Sequence, residues 1–113
     1  MQNKKIDFNE FLNLDIRVGR IIKAEIFKEA RKPAFKLLID FGELGIKKSS
    51  AQITDLYKTE ELPGKEVIAV VNLQPKQIAN FISEVLVLGV NDKNGHVILL
   101  TPERNAPPGS KVY

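Results

Sequence analysis

The sequence predicts an all-β domain, a small closed barrel of about five strands with short helices at its margins. Two observations carry that prediction. From Leu14 to Glu25 the chain reads as one long strand that bends in its middle. Ile16, Val18, Ile22, Ala24 and Ile26 fall on one face, while Arg17, Lys23 and Glu25 fall on the other. That is the period of two of a half-buried strand. Gly19 and Arg20 interrupt it, and a glycine inside a strand marks a bulge or sharp bend. A first strand bent in this way can serve both halves of a barrel. The second observation is downstream: strand-length apolar runs follow one another, separated by turn residues.

Each element has its own warrant. Asp7-Phe-Asn-Glu10 has capping-box spacing, with Ile6 and Phe11 placed as a hydrophobic staple. Phe8, Phe11 and Leu12 then share one face of a short helix that docks on the barrel or on a partner. After the long strand, Arg31-Lys-Pro33 makes a turn. Phe35, Leu37, Ile39 and Phe41 alternate with Lys36, Leu38 and Asp40 as a second strand. The segment from Gly42 to Gly45 is a turn, and a short third strand runs from Ile46 to Ser50. Ser50 or Gln52 begins a small helix with Ile53, Leu56 and Tyr57 on one side. Leu62-Pro-Gly-Lys65 suits a type II turn. The run from Val67 to Leu73 reads as a strand covered on both faces, broken by Gln74-Pro75. Ile78, Phe81 and Ile82 mark one helical turn. Two strands, Val85 to Val90 and His96 to Thr101, flank Asn94-Gly95, a strong hairpin signal. The segment containing Pro107-Pro108-Gly109 is extended. The strand count and the helix between strands three and four point to the oligonucleotide/oligosaccharide-binding (OB) fold, a five-stranded Greek-key barrel with an N-terminal helix and a C-terminal extension. Residues 1–113 read as one domain, with the barrel and its helix over about 8–101 and the extended segment over 102–113.

Composition narrows the function. The 113 residues are 43% hydrophobic and 27% charged, enough for one modest core. No apolar run approaches membrane-spanning length, and the opening Met1-Gln-Asn-Lys-Lys5 leads into a polar segment rather than a signal core. With no cysteine, disulfides and thiolate metal sites are excluded, and a cytoplasmic location is expected. The net charge of +3 permits a polyanionic partner without requiring one. Its distribution is uneven: Lys4, Lys5, Arg17, Arg20, Lys23, Lys28, Arg31, Lys32 and Lys36 crowd the first third, and Lys47 and Lys48 follow.

Catalytic constellations are missing. His96 is the sole histidine and sits in the predicted hairpin, so a Ser-His-Asp set and a zinc site are both unexpected. No phosphate loop or dinucleotide fingerprint is present, and Asp15, Asp40, Asp55 and Glu84 are scattered. A binding module without a cofactor is therefore expected, not an enzyme. Two segments could bind. In Lys47-Lys-Ser-Ser-Ala-Gln-Ile-Thr54, two cations and hydroxyls at a helix start could hold a phosphate, or Ser50 simply caps the helix and the lysines are solvated. From Val71 to Gln77 and on to Ser83-Glu84, the groups on Asn72, Gln74, Gln77 and Ser83 can read unstacked base edges while Lys76 meets phosphate. The alternative there is a polar turn after a buried strand. Tyr57 and Phe81 could stack on bases, but both sit at core-like helical spacing.

At these segments the chain resembles a known family. Leu14-Asp-Ile-Arg-Val-Gly19, Lys36-Leu-Leu-Ile-Asp-Phe-Gly42, Val70-Val-Asn-Leu-Gln-Pro75 and Ser83-Glu84 together resemble the tRNA-binding domain appended to methionyl- and phenylalanyl-tRNA synthetases and to the endothelial monocyte-activating polypeptide. Lys48-Ser-Ser-Ala-Gln-Ile-Thr54 and Ser83-Glu-Val-Leu-Val-Leu88 are similar to its stand-alone bacterial branch, the CsaA-type chaperones. The resemblance implies an OB barrel, a homodimer assembled with help from the terminal extensions, and tRNA binding. For the CsaA branch it also implies an export-related chaperone role toward unfolded or preprotein segments. By position it assigns RNA-facing roles to Asn72, Gln74, Lys76, Gln77, Ser83 and Glu84, with Lys47, Lys48, Ser49 and Ser50 nearby. The chain departs from the family pattern at Gln77, Ala79 and Ile82, where lysine or arginine is often found, and Ser-x-Gly-Met becomes Ser83-Glu-Val-Leu86. Fewer cations mean less counterion release, so weaker or differently shaped tRNA binding is expected. Ile82 makes that site more apolar and better suited to a peptide.

Overall fold

The computed structural model describes residues 4–113, so Met1 to Asn3 of the expected polar start lie outside the described residues. The elements run α1 (Phe8–Leu12), β1 (Ile16–Ile26), β2 (Phe35–Asp40), β3 (Ile46–Ala51), β4 (Glu66–Val70), β5 (Lys76–Ile78), β6 (Phe81–Ser83), β7 (Leu86–Val87), β8 (Gly89–Asn91) and β9 (Val97–Leu99). One five-stranded sheet has the order β3-β2-β1-β4-β7, and β5-β6 and β8-β9 form two small antiparallel hairpins. The sheet curls into a nearly closed barrel. Its core is Ile21, Phe35, Leu37, Ile39, Phe41, Ile53, Leu62, Val67, Ala69, Val85 and Leu99. No described helix is long and apolar enough to cross a membrane.

β1 does serve both halves: residues 20–26 pair with β2 and residues 16–20 with β4. The bend, however, lies elsewhere than expected. Ile21 faces Ile39 and Lys23 faces Leu38, which leaves Ile22 as the extra residue of a bulge. The inward phase therefore changes: Ile21 is in the core while Ile22 and Ile26 are exposed. Gly19 has a different task. A Cβ there would stand 2.5 Å from Ile39 Cγ2 and 2.6 Å from Phe41 Cε1, so only a glycine lets the two inner layers meet.

Barrel closure is asymmetric. β3 does not join β7 through a ladder among the described residues. Instead the Glu84 N–H donates to the Lys48 carbonyl at 2.8 Å. Glu84 Oε1 accepts the Lys48 N–H at 2.9 Å, and Ser83 Oγ accepts the Ser50 N–H at 3.0 Å. The buried Ser49 hydroxyl donates to the Val85 carbonyl at 3.2 Å. At the free flank of β1, the extended C-terminal segment adds itself as a short strand: the Val18 N–H donates to Ser110 O at 2.8 Å, and the Val112 N–H to Ile16 O at 2.8 Å.

Two expected helices are absent. Residues 54–56 form a turn and a single 3₁₀ turn follows at Thr59–Glu61, so the element between strands three and four is later and tighter than the spacing implied. Ile53 is buried and the Tyr57 hydroxyl accepts the Leu99 N–H at 3.0 Å; these anchors, not a helical face, produce the spacing of 53 and 57. Ile78, Phe81 and Ile82 lie on the β5-β6 hairpin, with Ala79 at φ 52° in its turn. The run begun at Val67 ends as strand at Val70. At the N-terminus, the Asp7 N–H donates to Glu10 Oε1 at 3.2 Å, as the capping box requires. Phe8 stacks on Phe11 with ring centroids 6.3 Å apart. Ile6 stays 63% exposed, so the expected staple does not cover it, and no residue of α1 is buried.

Candidate nucleic-acid interface

An open groove of about 450 Å³ runs beside the seam where β3 meets the β6–β7 segment. Its floor is apolar, with Leu73, Ile78, Leu86, Val87 and Val97 among the lining residues. Ser50, Gln74, Lys76, Ser83 and Glu84 bring polar groups to its walls. Five of the ten residues expected to face RNA are thus gathered in one place, although they come from three separate stretches of chain.

Their side chains are differently committed. Gln74 and Lys76 stand exposed on the rim, the rotamer-rich ends turned to solvent. Ser83 Oγ and Glu84 Oε1 are occupied by the seam bonds described above. The remaining five lie outside the groove lining. Asn72 joins the link after α1 to the barrel: its Oδ1 accepts the Asp15 N–H at 2.9 Å, and its Nδ2 donates to Asn13 O at 2.8 Å. Gln77 Nε2 donates to Ala79 O at 3.1 Å, within its own hairpin. Ser49 is fully buried. Lys47 is half-buried beside Ile39 on the inward register of β3. Lys48 points to the outer face instead. Because residues 47–50 are strand, the expected helix start with its free N–H groups does not exist, and anion binding by a helix dipole at Ser50 is ruled out.

Sequence reasoning named Lys48 and Phe81 separately but did not bring them together with Lys23 and Lys36. On the outer face of β1–β3 a recess of about 180 Å³ is lined by Lys23, Glu25, Lys36, Leu38, Lys48 and Phe81. Lys36 Nζ lies 4.9 Å from the Phe27 ring centroid and 5.5 Å from that of Phe81. Lys48 Nζ lies 5.5 Å from Phe81. Phe81 in turn meets Phe27 edge-on at 5.4 Å. The alternation of β2 was a usable signal, since it sets Lys36 and Leu38 outward; the partner Phe81 was hidden by its assignment to a helical turn.

The Leu14–Gly19 motif proves mainly architectural. Arg17 Nε donates to Asp15 Oδ1 at 2.6 Å and Nη1 to Gly109 O at 3.0 Å, tying the C-terminal segment to β1. The hydrogen bond to Asp15, reinforced by its charge, raises the Arg17 pKa above the ordinary arginine value. At the far hairpin, the Asp92 carboxyl is held below its usual range, chiefly by the His96 N–H it accepts and also by that of Asn94. His96 is half-buried there and takes no part in the groove. Among the described residues no cluster of His, Cys, Asp or Glu is arranged to hold a metal.

Comparison with known proteins gives the geometry a context. Residues 16–111 match the family described as "Putative tRNA binding domain". The crystal structure of chaperone CsaA from Bacillus anthracis superposes with a TM-score of 0.92 at 53% identity, covering 97% of this chain and 100% of that one. CsaA chaperone protein from Picrophilus torridus gives a TM-score of 0.90 at 57% identity, covering 96% and 100%. Methionine–tRNA ligase of Archaeoglobus fulgidus is 38% identical over 111 residues, which is 98% of this chain but 16% of the ligase. The chain thus spans about a sixth of the length of the curated ligase it matches.

Proposed function

The chain belongs to the tRNA-binding domain family, and from that premise we propose that it is a non-catalytic tRNA-binding protein of the CsaA type. The observation that carries the proposal is the groove beside the seam, where Gln74 and Lys76 flank an apolar floor. Lys76 supplies charge for a phosphate, and the Gln74 amide can both donate to and accept from a base edge. Ser50 joins them from β3. Ser49, Ser83 and Glu84 support the site by holding the seam beside it, Asn72 fixes the link after α1, Gln77 follows Lys76 on β5, and Lys47 and Lys48 lie along β3 outside the groove. A cytoplasmic location accompanies a tRNA ligand. The test is a titration of bulk tRNA at several salt concentrations. Affinity should fall steeply as salt rises, and Lys76→Ala should make that dependence shallower. Affinity that stays flat from low to moderate salt would contradict phosphate contacts.

A second reading, an export-related chaperone for unfolded or preprotein segments, draws on the same groove. Its floor is apolar, and Ile82 and Leu86 are exposed close by. An extended peptide with apolar side chains would bury that surface without ATP. If the purified protein failed to slow aggregation of an unfolded client and bound nothing on a peptide array, this reading would be lost. Both readings gain from a homodimer, which links two grooves and raises effective concentration. The unburied helix α1, with Phe8 71% exposed, supports that assembly. Light scattering measures it directly: a mass of one chain at micromolar concentration removes the dimer.

A further inference from the structure

We propose that Lys23, Lys36 and Lys48, set around Phe81 on the outer face of β1–β3, form a second phosphate-binding surface that continues the groove and carries the RNA backbone away from it. The inference rests on the tRNA-binding reading and extends its footprint beyond the groove, joining Lys23 and Lys36, which were not expected to face RNA, to Lys48, which was.

Register places the three lysines. Lys23 pairs with Leu38, and Leu38 with Lys48, so one cross-strand row presents two cations about 9.6 Å apart at their backbones, twice the strand spacing. Lys36 lies in the next outward row, between Glu25 and Ser50. The recess they line holds one opposing carboxylate, Glu25. Of these three lysines, and among the described residues, only Lys36 has a carboxylate within ion-pair range, Glu29 at 3.8 Å. The ammonium groups of Lys36 and Lys48 are instead held against aromatic rings. An aromatic ring orients a cation without neutralising it. The result is a set of partly ordered positive charges with capacity left for an anion. Lysines act as compact point charges, a form that serves phosphate contacts without a fixed bidentate geometry.

Connectivity to the groove comes from strand periodicity. Lys48 and Ser50 are two apart on β3, and Phe81 and Ser83 two apart on β6, so each pair shares a strand face. In each pair the first member lines the recess and the second lines the groove. The two depressions are therefore about 7 Å apart along both strands. A single polynucleotide can occupy both.

The experiment compares tRNA affinity against salt for wild type, for K23Q/K48Q, and for a charge-matched control, K58Q/K93Q, outside both depressions. K23Q/K48Q should reduce the slope of log K against log salt by about 1.4–1.8, from two lost phosphate contacts, while the control keeps the wild-type slope. K23R/K48R should restore it, which separates charge from folding, and melting curves confirm that each variant is folded. Equal slopes for K23Q/K48Q and the control overturn the inference. Loss of binding to an acidic peptide, with the tRNA slope unchanged, overturns it too and assigns the surface to protein. If wild type binds no tRNA at all, the failure lies with the proposed function and takes this extension with it.

Discussion

The two sides of the barrel are built by different means. On one side, β1, β2 and β3 are joined by long backbone ladders with six aligned pairs across each boundary. On the other, β4 and β7 share two aligned pairs, and β3 meets the β6–β7 segment through a single backbone bond, Glu84 N–H to Lys48 O, together with side chains of Ser49, Ser83 and Glu84. Backbone ladders tolerate almost any outward residue, so the first side is free to carry lysines. The second side depends on particular side chains, those of Ser49, Ser83 and Glu84, which fall within the segments Lys48–Thr54 and Ser83–Leu88. Ser83 and Glu84 therefore serve closure of the barrel, whatever else they touch.

Substitutions can break this contrast. The largest effect is expected at Gly19→Ala on the ladder side. The added methyl overlaps Ile39 and Phe41, and overpacking of this kind costs about 1–3 kcal/mol. Chemical denaturation should show the loss, and an unchanged midpoint would mean that β1 and β2 slide apart freely. Ser49→Ala comes next. It leaves the buried Val85 carbonyl without its hydroxyl donor, at about 1–2 kcal/mol, and should expose the seam amides to faster hydrogen exchange. If exchange at Lys48 and Glu84 stays as slow as in β2, the seam is not held by that bond.

Asn72→Ala separates fixing from binding. It removes both bonds to the 13–15 link, at about 1 kcal/mol, and should weaken tRNA only modestly compared with Lys76→Ala. A tRNA loss at Asn72 larger than that at Lys76 would make the amide a ligand contact. The smallest effect concerns the β8-β9 hairpin. Because the Asp92 carboxyl is depressed below its ordinary 3.8, its contribution to stability is complete above that pH and disappears as pH falls through the lower folded value. Asp92→Asn should flatten the acid limb of a melting-temperature profile, and an unaltered limb would show that other carboxylates set it.

The ladder side was largely legible in the sequence, and the seam side was not. The alternation from Phe35 to Phe41 marked β2 with the correct faces, and Asn94-Gly95 marked its hairpin, where Gly95 takes φ 83°. The turn at residues 62–65 matched as well, with Gly64 at φ 93° and the Lys65 N–H donating to Leu62 O at 3.0 Å. The phase of β1 was misread because adjacent Ile21 and Ile22 offer either face, and only pairing with β2 selects the bulge. The β5-β6 hairpin was missed because Ala79 at positive φ is no turn signal, and three-residue strands barely show a period. Of the site residues, Gln74 and Lys76 were placed by motif alone. The roles of Ser83 and Glu84 depend on β3, more than thirty residues earlier, which no local pattern encodes.

The strand formed by residues near 110 has a temporal consequence. Arg17 binds Gly109 across 92 residues of chain, so β1 keeps a bare edge until the residues near 110 have been made. Loop closure over that span is slow, and an unpaired edge can recruit other strands in the meantime. A nascent copy stalled on the ribosome before this segment emerges would be the form most prone to clumping.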